Sequence, residues 1–119
     1  MASAKSVVLC VDDETTPLTL RKLVLERANF RVLTASNGEQ ALQILDHTPI
    51  DVVVCDHLMP EMTGAALAAK VKARWPQLPF LLLSGVNEIP PGAEVADAFM
   101  SKLEGPDAMV DKVRSLIRA

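Results

Sequence analysis

Aromatic side chains are scarce: the sequence has three phenylalanines, one tryptophan and no tyrosine, while 50% of its residues are hydrophobic. The core must therefore be aliphatic, rich in Val, Leu and Ala, a balance that favours α/β packing. Cysteine is equally sparse. Cys10 and Cys55 are the only two. Each falls inside a predicted buried strand and reads as a small core hydrophobe in a reducing compartment, not as half of a disulfide or metal pair. No run of Lys or Arg occurs and the net charge is −3, which speaks against nucleic acid as a partner of this segment. Long hydrophobic runs are missing too. The first apolar stretch, Val7 to Val11, is far too short for a signal sequence or a membrane span, so the expected location is cytoplasmic, with no membrane partner.

At 119 residues the chain can build one sizeable core but not two, so residues 1–119 are expected to form a single domain. The stretch from Val52 to Gly64 is the most informative. Val52 to Cys55 is an unbroken apolar run of the kind buried on both faces of a sheet, and it ends abruptly in Asp56. Met59-Pro60 and Gly64 then turn the chain into a helix. An acid at the carboxyl end of a strand stands where open α/β sheets bind ligands.

Strand and helix patterns alternate along the whole chain. Ser6 to Val11 predicts a first strand, and Thr16-Pro17 predicts the cap and first position of a helix reaching about Ala28. Leu20, Leu23, Val24 and Arg27 are expected to form its inner face, with Asn29 as a left-handed exit. Arg31 to Ala35 is the second strand. Ser36 and Glu39 suggest a capping box for a second helix whose inner face is Ala41, Leu42, Ile44 and Leu45, and Thr48-Pro49 closes it. After the central strand, an alanine-rich helix runs from Gly64 to Trp75. Phe80 to Leu83 is the fourth strand, followed by Ser84-Gly85, and Asp97 to Ser101 is a short fifth. Between them, Ile89-Pro90-Pro91-Gly92 breaks any helix spanning Val86 to Val95, leaving at most a turn or two. Pro106 to Arg118 is a final amphipathic helix.

Such alternation predicts right-handed crossovers and a parallel sheet covered on both faces. The polar residues that close the strands then fall on one edge. Asp12 and Asp13 close the first strand, Asp56 the third, Ser84 the fourth and Lys102 the fifth. Crowded carboxylates need a proton or a cation, and hard oxygen ligands without His or Cys suggest Mg2+. A carboxylate can also attack phosphorus to give an aspartyl phosphate. Asp56 is the best placed for this, with Ser84 to hydrogen-bond one phosphoryl oxygen and Lys102 to pair with another. Taken singly, each residue is ordinary: a helix cap, a turn serine, a surface lysine. Their joint placement is what carries the reading.

In these motifs the chain resembles the receiver domains of response regulators, the phosphoacceptor half of two-component signalling. The likeness rests on Asp12-Asp13 after an apolar strand, Asp56 with Met59-Pro60 and Gly64, Ser84-Gly85, and Lys102. It implies a doubly wound five-stranded parallel sheet of flavodoxin-like order 2-1-3-4-5. It also implies that Asp56 accepts a phosphoryl group from a histidine kinase or phosphotransfer protein. Asp13, Asp56 and the Leu58 carbonyl would ligate Mg2+, and Asp12 would act mainly through water. Ser84 and Phe99 would form the conformational switch that addresses a downstream protein.

Two departures stand out. Lys102 is followed by Leu103, where the family usually has proline, and the segment between Ser84 and Lys102 is short by about one helical turn. The fourth crossover helix is therefore expected to be shortened, irregular or absent, and the output surface unusual. The resulting alternative is a non-switching pseudo-receiver that works as a protein-interaction module. A phosphatase of the haloacid-dehalogenase type is a third reading, but Leu58 stands where that family needs a second acid. His57, Leu58 and Val86 flank the site and are expected to set the phosphoryl lifetime.

Overall fold

A computed structural model of the protein describes residues 5–85 and 89–118. Five strands, β1 (Val7–Val11), β2 (Arg31–Ala35), β3 (Val52–Asp56), β4 (Phe80–Ser84) and β5 (Ala98–Ser101), form one sheet of order β2-β1-β3-β4-β5. Every pairing is parallel, as the sequence and its family resemblance predict. All residues of β3 and β4 are buried, which is why their sequences run apolar without alternation.

Among the described residues, four α-helices, α1 (Thr15–Arg27), α2 (Gly38–His47), α3 (Gly64–Arg74) and α4 (Pro106–Arg118), cover the sheet. They enclose two aliphatic cores, one on each face. Leu9, Val11, Val53, Cys55 and Leu82 face the first core with Ala65, Leu67, Ala68 and Val71 of α3. Val8, Cys10, Val54 and Leu81 face the second with Leu25 of α1 and Met109 and Val113 of α4. Both cysteines are free thiols within these cores. Ala65 and Ala68 bring α3 close to the sheet, as its alanine content predicts. Trp75 ends α3, half-buried, with the Arg74 guanidinium 4.4 Å from its ring centroid. It lies before β4, at the end of the sheet opposite the acids.

Several local expectations need correction. Helix α1 starts two residues early, at Thr15 with Glu14 as its cap, so Pro17 occupies the third helical position, where its missing N–H costs no intrahelical bond. Its inner face is Leu18, Arg21, Leu25 and Ala28, with Val24 at the margin, whereas Leu20 and Leu23 are exposed. Asn37, not Ser36, caps α2, its side chain accepting the Gln40 N–H at 2.8 Å. Gln40 Oε1 in turn accepts the Ser36 N–H at 2.6 Å, reaching past the cap to the residue before it, so the predicted Ser36–Glu39 box is replaced by an Asn37 cap with a Gln40–Ser36 bond. Asn29 takes the expected left-handed conformation with φ 75°. In the β4–β5 crossover the described residues hold a turn at Pro91-Gly92 and a single 3-10 turn, Ala93–Val95, which rests on α3 through buried Ala93. Residues 86–88 of that expectation lie outside the described residues.

Candidate functional site

The carboxyl ends of β1, β3, β4 and β5 deliver the acids, the hydroxyl and the amine to one edge of the sheet. Asp12 and Asp56 are buried, at 1% and 2% exposure, while Asp13 faces solvent. Carboxylate oxygens of all three lie within 4.8 Å of one another. The loop after β3 is pinned from both sides: the His57 N–H donates to Leu83 O at 2.8 Å and the Gly64 N–H donates to His57 O at 2.9 Å. Gly64 is required there because a Cβ would stand 2.5 Å from Asp56 O and 2.9 Å from His57 Cα.

Two cations answer this crowding. Lys102 Nζ lies 2.7 Å from Asp56 Oδ1, and Arg21 Nη1 lies 2.9 Å from Asp12 Oδ2. In neither contact are the groups aligned as a hydrogen bond, so both are charge contacts. The second oxygen of Asp12 accepts the Glu14 N–H at 2.9 Å. Lys102 opens a 3-10 turn, Lys102–Glu104, inside a capping box. Ser101 Oγ accepts the Leu103 N–H at 3.1 Å and Glu104 Oε2 accepts the Ser101 N–H at 3.0 Å.

Ser84 is buried, in register with Ser101 and one residue beyond Leu83, the partner of Asp56. Phe99 pairs with Leu82 and packs, partly buried, against the first core. Ser84 and Phe99 therefore lie on the same face of adjacent strands, two residues apart in register. The Leu58 side chain is exposed, and among the described residues no backbone N–H takes up its carbonyl. Hard carboxylate oxygens in a cluster, together with such a carbonyl, suit a small divalent cation of the Mg2+ type. The two thiols behave otherwise. Burial, opposed by Arg21 and reinforced by Asp12, pushes Cys10 up to about 12. Burial raises Cys55 as well, with Asp56 adding to it, so neither thiol is a nucleophile at neutral pH.

Two features escaped sequence reading. Arg21 was hidden because Leu20, Leu23 and Val24 offer a more apolar stripe on the same helix, although Leu18, Arg21, Leu25 and Ala28 also have helical spacing. Ser101 and Glu104 form a legible S-x-x-E capping pattern beside Lys102.

The profile of the response regulator receiver domain matches residues 8–114. The chain belongs to the response-regulator receiver family. Among its curated relatives, the hydrogenase transcriptional regulatory protein HoxA of Cupriavidus necator is 33% identical, covering 100% of this chain and 26% of that protein. The alkaline phosphatase synthesis transcriptional regulatory protein PhoP of Bacillus subtilis is 31% identical, covering 93% of this chain and 48% of its own length. The chain thus spans half or less of these regulators. Among solved structures, the response regulator protein TrrA of Thermotoga maritima, in complex with Mg2+-BeF, is 27% identical with a TM-score of 0.88, covering 93% of this chain and 98% of that one. A receiver domain protein of Clostridium thermocellum is also 27% identical, with a TM-score of 0.86 over 95% and 94% of the two chains. No described helix of this receiver is long and apolar enough to cross a membrane.

Proposed function

We propose that this receiver is a phosphoacceptor switch in which Asp56 takes a phosphoryl group from the phosphohistidine of a sensor histidine kinase or phosphotransfer protein. The observation that carries the reading is the convergence on buried Asp56 of Asp12, Asp13 and Lys102 at one sheet edge. An Asp56 carboxylate oxygen attacks phosphorus, the phosphorus–nitrogen bond breaks, and its electron pair stays on the imidazole. Asp12, Asp13, Asp56 and the Leu58 carbonyl would hold Mg2+, which when bound supplies charge neutralisation for the carboxylates and the incoming phosphoryl oxygens. Lys102 pairs with one phosphoryl oxygen and the Ser84 hydroxyl donates to another. Inward movement of Ser84 vacates space for Phe99, and a downstream protein reads the change. Phe99 has no hydroxyl to exchange partners, so the switch works through packing alone. His57 and Leu58, with Val86 outside the described residues, set the lifetime of the phosphoryl group. The domain acts in the cytoplasm and binds neither nucleic acid nor membrane itself.

Intact-mass analysis after incubation with acetyl phosphate tests this reading. One Mg2+-dependent phosphoryl adduct is expected on the wild type and none on Asp56→Asn; absence of the wild-type adduct overturns the switch. The short 3-10 turn in the β4–β5 crossover favours a second reading, a pseudo-receiver that binds partners without switching. Adduct formation without amide NMR shifts along β5 and the crossover would select it.

A further inference from the structure

Burying a guanidinium is expensive unless an opposite charge meets it. Arg21 is 9% exposed, on the inner face of α1 among Leu18, Leu25 and the second core. The charge it meets is Asp12 Oδ2 at 2.9 Å, and the other oxygen of Asp12 already accepts the Glu14 N–H. Both Asp12 oxygens are thus engaged by the protein. Lys102 holds Asp56. Of the three clustered carboxylates, only the exposed Asp13 lacks an ion pair among the described residues.

A divalent cation entering this cluster meets one fixed positive charge on α1 and one on the β5–α4 turn. The two differ in freedom. The Lys102 side chain is 33% exposed and sits on a flexible stem, so it can swing aside, whereas the Arg21 side chain, 10% exposed, is confined by the core. The Arg21 contact lacks hydrogen-bond alignment, so it acts through charge and leaves Asp12 in electrostatic competition between the guanidinium and the metal.

We propose that Arg21 is an internal counter-ion of Asp12 that competes with the divalent cation and sets the Mg2+ concentration at which the acidic cluster loads. The inference rests on the reading that Asp12, Asp13 and Asp56 take Mg2+. It also makes α1 respond to loading, because the metal weakens the attraction that draws Arg21 to the β1 end.

Calorimetric titration with Mg2+, with no phosphodonor present, tests the proposal on the whole chain. Arg21→Leu, which fills the apolar surroundings, is expected to bind Mg2+ about tenfold more tightly than wild type, and Arg21→Lys, which keeps the charge, within about twofold of it. Urea unfolding supplies a second readout. In EDTA, Arg21→Leu unfolds at lower urea than wild type because Asp12 is left buried without a counter-charge, and Mg2+ raises its midpoint by more than it raises that of wild type. Equal Mg2+ affinity in wild type and Arg21→Leu overturns the proposal, as does tight binding by Arg21→Lys. Asp13→Asn separates this from failure of the metal reading itself. If it abolishes Mg2+ binding while Arg21→Leu changes nothing, the metal site stands and the counter-ion role falls. If no variant binds Mg2+, both fall.

Discussion

Ser101 Oγ accepts the N–H of Leu103, a donor that a proline at position 103 would not possess. With Glu104 closing on the Ser101 N–H, a pair of hydrogen bonds fixes the turn that carries Lys102. Ser101→Ala and Glu104→Ala should each lower stability by about 1 kcal/mol, a typical capping contribution, measurable by urea denaturation. Leu103→Pro removes the same bond as Ser101→Ala, so the double variant should be no less stable than the worse single one. Additive losses would show that Leu103 contributes something other than this donor.

Lys102→Ala should still take up phosphate from acetyl phosphate, because attack by Asp56 does not require the amine. The amide NMR shifts that accompany uptake in wild type should be lost. The unphosphorylated variant should also be destabilised by about 1 to 3 kcal/mol, since Asp56 stays buried without its partner and the lysine is only partly shielded from water. Wild-type shifts in the variant would remove Lys102 from the switch.

Two glycines at helix starts should respond unequally to alanine. At Gly64 a Cβ would press within 2.5 Å of the Asp56 carbonyl oxygen, which is backbone and cannot yield, so Gly64→Ala should cost about 1 to 3 kcal/mol and disturb the acid site. At Gly38 the nearest atom is Met62 Sδ at 2.5 Å, on a flexible side chain that can turn away. Gly38→Ala should therefore be near neutral in a thermal melt, the gain in helix propensity offsetting the repacking.

Cys10 and Cys55 should resist Ellman's reagent at pH 8 in the native protein and react together in urea. The Cys10 thiol rises from an ordinary 9.0 to about 12 on folding. Below pH 9 the thiol is protonated in both states and its contribution is fully present. As pH climbs from about 9 towards about 12 the unfolded chain loses the proton while the native state keeps it, so stability falls by about 1.4 kcal/mol per pH unit for this group. Cys10→Ala should show a correspondingly shallower alkaline decline, read from urea midpoints at successive pH values.

The strands were legible because β3 and β4 are buried on both faces and their sequences run apolar up to a polar terminus. That abrupt change located Asp56 and Ser84, and the same edge rule located Asp12 and Lys102. The face of α1 was not legible. Its sequence offers two stripes, Leu20 with Leu23 and Val24, and Leu18 with Arg21 and Leu25. Hydrophobicity alone favours the first, while the attraction between Arg21 and a buried acid nine residues away selects the second. The cap of α2 slipped from Ser36 to Asn37 for a smaller reason, since either side chain can accept the N–H three residues on. The output face was legible only in outline, because Pro90-Pro91-Gly92 forbids a long helix without specifying where the chain rests.

Trp75 stands alone as an indole in a chain without tyrosine, stacked by Arg74 at the edge of the sheet remote from Asp56. Its fluorescence therefore reports loss of the fold without direct quenching by whatever enters the acidic cluster. Unfolding can thus be followed optically in this receiver with no label added, whatever the state of the acidic cluster.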